Sequence, residues 1–203
     1  AGSTVFAEVR IRRNVDVDFA AGSDLWVSFL YQQLNAPLAS VASRTAQIRA
    51  ADLNFRMSPK NTGSQGAAIG YDSTVVGNGT KNLQDGRTYL FISRFGDLAS
   101  ATGKKGVMWV FDIDSYNTML ANGGVTEANL NLYKYLFVED EHANKAFNSS
   151  SQIEILVADS SNTGFSAVLD ELRYGVSLQE VMVPEPATLL LLGLGALTCL
   201  RRK

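Results

Sequence analysis

The chain has 203 residues, 18 lysines and arginines against 20 aspartates and glutamates, and a single cysteine. That length makes one domain of ordinary size, with enough mass for a full core. The mild acidity argues against nucleic acid or an anionic membrane as partner, and one cysteine excludes an internal disulfide or a thiolate metal cluster.

Taken in order, the chain reads as strands. Val5, Ala7, Val9 and Ile11 alternate with Phe6, Glu8, Arg10 and Arg12, a period of two. Arg10 and Arg12 then share a face, as on a solvated strand. Asp24–Tyr31 is aromatic and β-branched, bounded by Ala-Gly-Ser before it and Asn35-Ala-Pro37 after it. Further strands are expected over 47–57, 66–71, 88–95, 106–113, 131–138, 152–157 and 167–174. Asn61-Thr-Gly63, Asn78-Gly79, Asp85-Gly86, Asn122-Gly-Gly124 and Asn162-Thr-Gly164 separate them and supply positive φ in turns.

Only 37–51 and 125–135 compete as helices, and neither has a clean apolar face. Nine or ten strands without βαβ spacing indicate an all-β fold, an antiparallel β-sandwich or jelly roll. Trp26, Phe29, Phe91 and Trp109 are expected inside it.

Chemistry-bearing residues are sparse. Asp112-Ile-Asp114-Ser-Tyr-Asn117 offers two carboxylates and an amide, the oxygen donors that Ca²⁺ takes. The same residues suit a polar turn after a strand, and that is the expected reading. His142, the only histidine, follows Glu139-Asp140-Glu141 in a polar, loop-like run. Glu139 and Glu141 share a face and Asp140 points the other way, so no glycosidase-type carboxylate row forms. There is no Gly-x-Ser-x-Gly elbow. Asp170 and Glu171, in a strand, lie on opposite faces and cannot act as a pair. No catalytic residue, cofactor or metal is expected.

The last stretch differs from everything before it. Pro184-Glu185-Pro186 leads into an apolar run from Ala187 to Leu200, and the chain closes on Arg201, Arg202 and Lys203. As a helix the fourteen-residue run would be about 21 Å long, short of a bilayer core of about 30 Å. It suits transient membrane insertion better than a permanent anchor. The three cations would hold the C-terminus in the cytoplasm and leave residues 1–183 outside. The tail holds Glu185 and three of the bases, so residues 1–183 carry 15 bases against 19 acids, a net charge of −4.

Pro184-Glu185-Pro186, the leucine-glycine run and the basic end resemble the PEP-CTERM sorting signal of bacteria. The resemblance implies export, recognition by a membrane-embedded exosortase and cleavage near Pro184. Export calls for a leader, yet Ala1–Arg13 shows no basic-then-apolar segment; the expectation is a chain truncated at its N-terminus.

A second resemblance lies in the body. Trp26-Val-Ser-Phe-Leu30, Thr88–Arg94, Met108-Trp-Val110 and the closing Leu169-Asp-Glu-Leu-Arg-Tyr-Gly175 fall in the order seen in exported LamG-like domains. This implies a concanavalin A-like jelly roll over about residues 24–183. Two units are therefore expected: 1–183, the LamG-like domain, and 184–203, the sorting signal with a short C-terminal apolar helix. The function expected is a non-catalytic surface or extracellular-matrix protein, either purely structural or binding polysaccharide with Tyr71, Tyr116 and Tyr133 as exposed stacking aromatics. A secreted glycosidase or lyase of the same fold is the alternative.

Overall fold

In the first half of the strand Leu25–Asn35 apolar side chains occur in both alternating sets. Leu25, Val27, Phe29 and Tyr31 point one way and are buried, while Trp26, on the opposite face, is buried too. A strand of this kind needs cover on both sides, and the fold supplies it. The computed structural model describes residues 7–14, 24–35, 44–50, 55–60, 67–71, 74–78, 83–96, 104–142, 152–159 and 166–182.

Their strands are β1 (Ala7–Asn14), β2 (Leu25–Asn35), β3 (Arg44–Ala50), β4 (Phe55–Lys60), β5 (Ala67–Tyr71), β6 (Thr74–Asn78), β7 (Thr88–Phe95), β8 (Lys104–Phe111), β9 (Leu136–His142), β10 (Gln152–Asp159) and β11 (Ser166–Gly175). Three helices join them: α1 (Ile113–Ala121), α2 (Glu127–Tyr133) and α3 (Leu178–Met182). A six-stranded sheet runs β1-β10-β3-β4-β5-β6 and a five-stranded sheet β11-β2-β7-β8-β9. Every pairing is antiparallel. The expected all-β sandwich is present.

Between the sheets lies an inner core of Val27, Phe29, Tyr31, Phe91, Phe95, Met108 and Val110 from the five-stranded sheet, met by Ile48, Ala67, Ile69 and Ile153 from the other. Register sets Phe29 opposite Phe91, and their rings stack with centroids 4.9 Å apart. Tyr31 meets Phe91 edge-on at 5.9 Å. Directly opposed aromatic pairs of this kind hold register as well as adding area. On the six-stranded sheet, β10 sets Glu154 opposite Arg49. The Glu154 carboxylate is fully buried and meets the guanidinium at 3.2 Å, the pairing a buried charge requires.

The far side of the five-stranded sheet carries a second core. Trp26, Ile92, Trp109 and Phe111 pack there against Met119 of α1, Leu130 of α2, and Leu178 and Val181 of α3. The expected burial of Trp26, Phe29, Phe91 and Trp109 holds, but on two faces: the phenylalanines inside the sandwich, the tryptophans beneath the helices.

Several local expectations are corrected. Asp112 starts a helix instead of a turn, because its carboxylate accepts the Ser115 N–H at 2.9 Å and caps α1. Residues 131–133, expected in a strand, end α2, whose cap is Thr126. The strand resumes at Leu136 and runs through Glu139–His142, so that acidic run is an edge strand and not a loop. The expected strand 47–57 is a hairpin of β3 and β4, and the helical competitor at 37–51 gives way to β3. Asp85-Gly86 and Asn122-Gly-Gly124 do turn at positive φ.

Candidate functional site

Helices α1 and α2 shield the β8 side of the outer face, and α3 shields the start of β2. Between them the sheet is left open, and a cavity of about 430 Å³ forms. Its floor is Ser28 and Leu30 of β2, Thr88 and Leu90 of β7, and Phe111 at the end of β8. Ile113 and Tyr116 of α1 make one wall, with Asp112 at the helix cap; Val181 and Met182 of α3 make another. Ile113 is 63% exposed and extends the apolar surface to the rim. The third wall is polar and comes from β11: Glu171 and Arg173.

That polar wall exists because β11 is irregular. Asp170 pairs with Leu30 and Arg173 with Ser28, so two residues of β11 span one of β2, a β-bulge. The bulge shifts the alternation, which is why Leu169 and Leu172 both pack toward the inner core. Glu171 takes φ 53°, the one non-glycine positive φ among the described residues. A left-handed backbone costs a side-chain-bearing residue about 1–2 kcal/mol.

Two local bonds hold Glu171 there. Its N–H donates to Asp170 Oδ1 at 2.8 Å, and its carboxylate receives Arg173 Nη2 at 2.5 Å. The expectation that Asp170 and Glu171 alternate across a regular strand is thus corrected. Across the cavity, burial pushes the Tyr116 hydroxyl up in pKa, and the Arg173 charge opposes it.

On the α3 side, Ser28 Oγ donates to the Val181 carbonyl at 2.7 Å in a buried bond. Glu180 accepts the Val176 N–H at 2.7 Å and closes the turn after β11. These contacts make α3, only five residues long, a fixed part of the wall. An open apolar cleft of this size with a few polar groups along one wall is a common form of small-molecule site.

The residues singled out from the sequence are distributed otherwise. Asp112 lines the cavity; Asp114 and Asn117 stand exposed on α1. Among the described residues no group of three His, Cys, Asp or Glu is arranged to hold a metal ion. Register opposes Glu139 to Val107, Asp140 to Gly106, Glu141 to Lys105 and His142 to Lys104. Tyr116 and Tyr133 are half-buried against the outer core rather than exposed. Only the backbone of Tyr71 lies within what is described. Pro184, Glu185, Pro186, Arg201, Arg202, Lys203 and the apolar run 187–200 lie outside the described residues. No described helix is long and apolar enough to cross a membrane.

Sequence reasoning missed Glu171 and Arg173 as cavity residues. Nothing in Asp-Glu-Leu-Arg marks a bulge, for which glycine is the usual signal.

The tail is recognised independently. The PEP-CTERM protein-sorting motif family matches residues 183–203. No curated protein matches the chain. The motif indicates export, processing by exosortase, and anchoring in the membrane through the C-terminus before that processing.

Proposed function

We propose that this is a non-catalytic protein of the cell surface or extracellular matrix, released from its membrane anchor by an exosortase cut near Pro184-Glu185-Pro186. The observation that carries the reading is the sorting motif at residues 183–203, which begins one residue after α3. Insertion is the work of 187–200, and orientation that of Arg201, Arg202 and Lys203. The two-sheet order supports the LamG-like, concanavalin A-like reading of the body.

The carboxylates support a role without catalysis. Glycosidic hydrolysis needs two acids held at a set distance across one substrate. Here Glu171 is engaged by Arg173 and Asp112 caps a helix, while Glu139 to Glu141 are consecutive residues of one strand. Polysaccharide is the partner the fold class suggests, and a glycosidase or lyase is the alternative activity.

The test is expression beside a matching exosortase, followed by mass spectrometry of the surface fraction. The mature protein should lack 187–203, and an intact C-terminus would overturn the sorting role. Replacing Pro184-Glu185-Pro186 with alanines should leave insertion intact and block release. Reducing-sugar release from a polysaccharide panel would overturn the non-catalytic reading, and a glycan array on the same panel decides whether polysaccharide binds.

A further inference from the structure

We propose that the cavity between α1, α3 and β11 is a binding site for a small amphipathic amine, a molecule with an apolar body and one ammonium head. The floor and two walls fit the body: Leu30, Leu90, Phe111 and Met182 line the cleft. A volume of about 430 Å³ lies within the roughly 300–1,000 Å³ of small-molecule pockets.

The head group follows from charge. The polar lining holds two acids, Asp112 and Glu171, and one base, Arg173. Of the two acids, Glu171 is engaged by Arg173 at 2.5 Å, and Asp112 is the one that no lining cation meets. Asp112 gives one oxygen to the Ser115 N–H, and a carboxylate has room for further donors. A carboxylate ligand would have to displace Glu171 from Arg173; an ammonium displaces nothing.

The backbone of Glu171 marks the cavity itself. A bulge residue at φ 53° is ordinarily glycine. Here the strained position carries a carboxylate that lines the cavity, and strain held at a concave site is a mark of function. Glycine would form the bulge at lower cost and would leave Arg173 without that partner.

The test uses the full chain and three probes with one body and different heads: 4-phenylbutylamine, 4-phenylbutanol and 4-phenylbutyrate. Thermal unfolding is followed by near-ultraviolet dichroism of Trp26 and Trp109, which pack on the same face as the cavity. A ligand that binds only the folded state raises the midpoint in a saturable way. The amine should do so with a half-saturating concentration at least about tenfold below that of the acid, the ratio that one well-placed charge supplies. Asp112→Asn keeps a good helix cap and should weaken the amine about tenfold while sparing the alcohol. Glu171→Gln removes one of the two lining carboxylates and should narrow the advantage of the amine over the acid. Leu90→Trp or Met182→Trp should abolish all three responses. Equal response to amine and acid, or an amine response unchanged by Asp112→Asn, would overturn the assignment. So would any response that survives in folded Leu90→Trp.

Discussion

Trp109 donates its indole N–H to the side-chain oxygen of Asn131 at 2.9 Å, and that bond ties the outer face of the five-stranded sheet to the helix covering it. The ring also stacks on Trp26 with centroids 6.0 Å apart and is only 2% exposed. Trp109→Ala should therefore cost about 3–5 kcal/mol through lost burial and a cavity. Asn131→Ala, which keeps the ring and loses the bond, should cost only about 1 kcal/mol. Denaturant titration of both variants checks the ratio. A comparable loss for the two would mean that the bond, not the packing, holds the layer.

The Tyr31 hydroxyl is buried in the inner core without a hydrogen-bond partner. Burial pushes its pKa above the ordinary 10.0, and the Asp85 charge adds to the shift. Tyr31→Phe should be neutral or stabilising, since it removes a polar group that gains nothing from folding. The pH dependence follows with its sign. The folded state holds the proton more tightly than the unfolded chain, so stability is full below pH 10 and falls as pH rises above it. Tyr31→Phe should flatten that alkaline loss. A variant that melts earlier at pH 7 would show that the hydroxyl has a partner after all.

Asp112 acts on α1 through one acceptor oxygen. Asp112→Ala should cost about 1 kcal/mol, whereas Asp112→Asn should cost little, because amide and carboxylate oxygens cap equally well. Thr126→Ala, at the start of α2, should behave like Asp112→Ala. Equal destabilisation by Asn and Ala at position 112 would show that charge, not capping, is what matters there.

Gly175 faces Glu180. A methyl group on Gly175 would sit 2.8 Å from the Glu180 Cβ, an atom fixed to the helix backbone that cannot swing away. Gly175→Ala should push α3 off the sheet and make the 176–182 segment cleavable by protease while both cores stay intact. Unchanged resistance to limited proteolysis would count against this account of how α3 is docked.

Glu171→Gly trades strain for a salt bridge. Relief of the left-handed backbone returns about 1–2 kcal/mol, and a pair whose Glu171 side chain is 43% exposed is worth less than about 1 kcal/mol. The variant should be slightly more stable, with a higher denaturant midpoint. A lower midpoint would mean that the pair with Arg173 dominates the bulge.

Legibility from sequence divides by the kind of signal. Strands β7 and β2 were readable because aromatic and β-branched residues run unbroken between turn residues. What that unbroken character also implied went unread: Trp26, Ile92 and Trp109 oppose Phe29, Phe91 and Val110 in parity, so both faces had to be covered. The covering helices are short, and α1 has Ile113 and Leu120 exposed, which blurs its apolar face. Its strongest mark was Asp112 three residues ahead of Ser115, a cap that also looks like a turn. The cavity was not legible at all. It arises where α1, α3 and a bulge fail to meet, and no periodicity records a gap between elements.

The anchoring of α3 has a consequence of reach. Met182 is held on the sheet, and only four residues separate it from Ala187, where the apolar run starts. However those residues are arranged, the span from Met182 to Ala187 is at most about 18 Å. While the run is in the membrane, Met182 therefore stays within about 18 Å of the point where that run starts. A solute partitioned at the lipid surface would then meet the cavity at short range. Once the tail is cut, that limit on reach is gone.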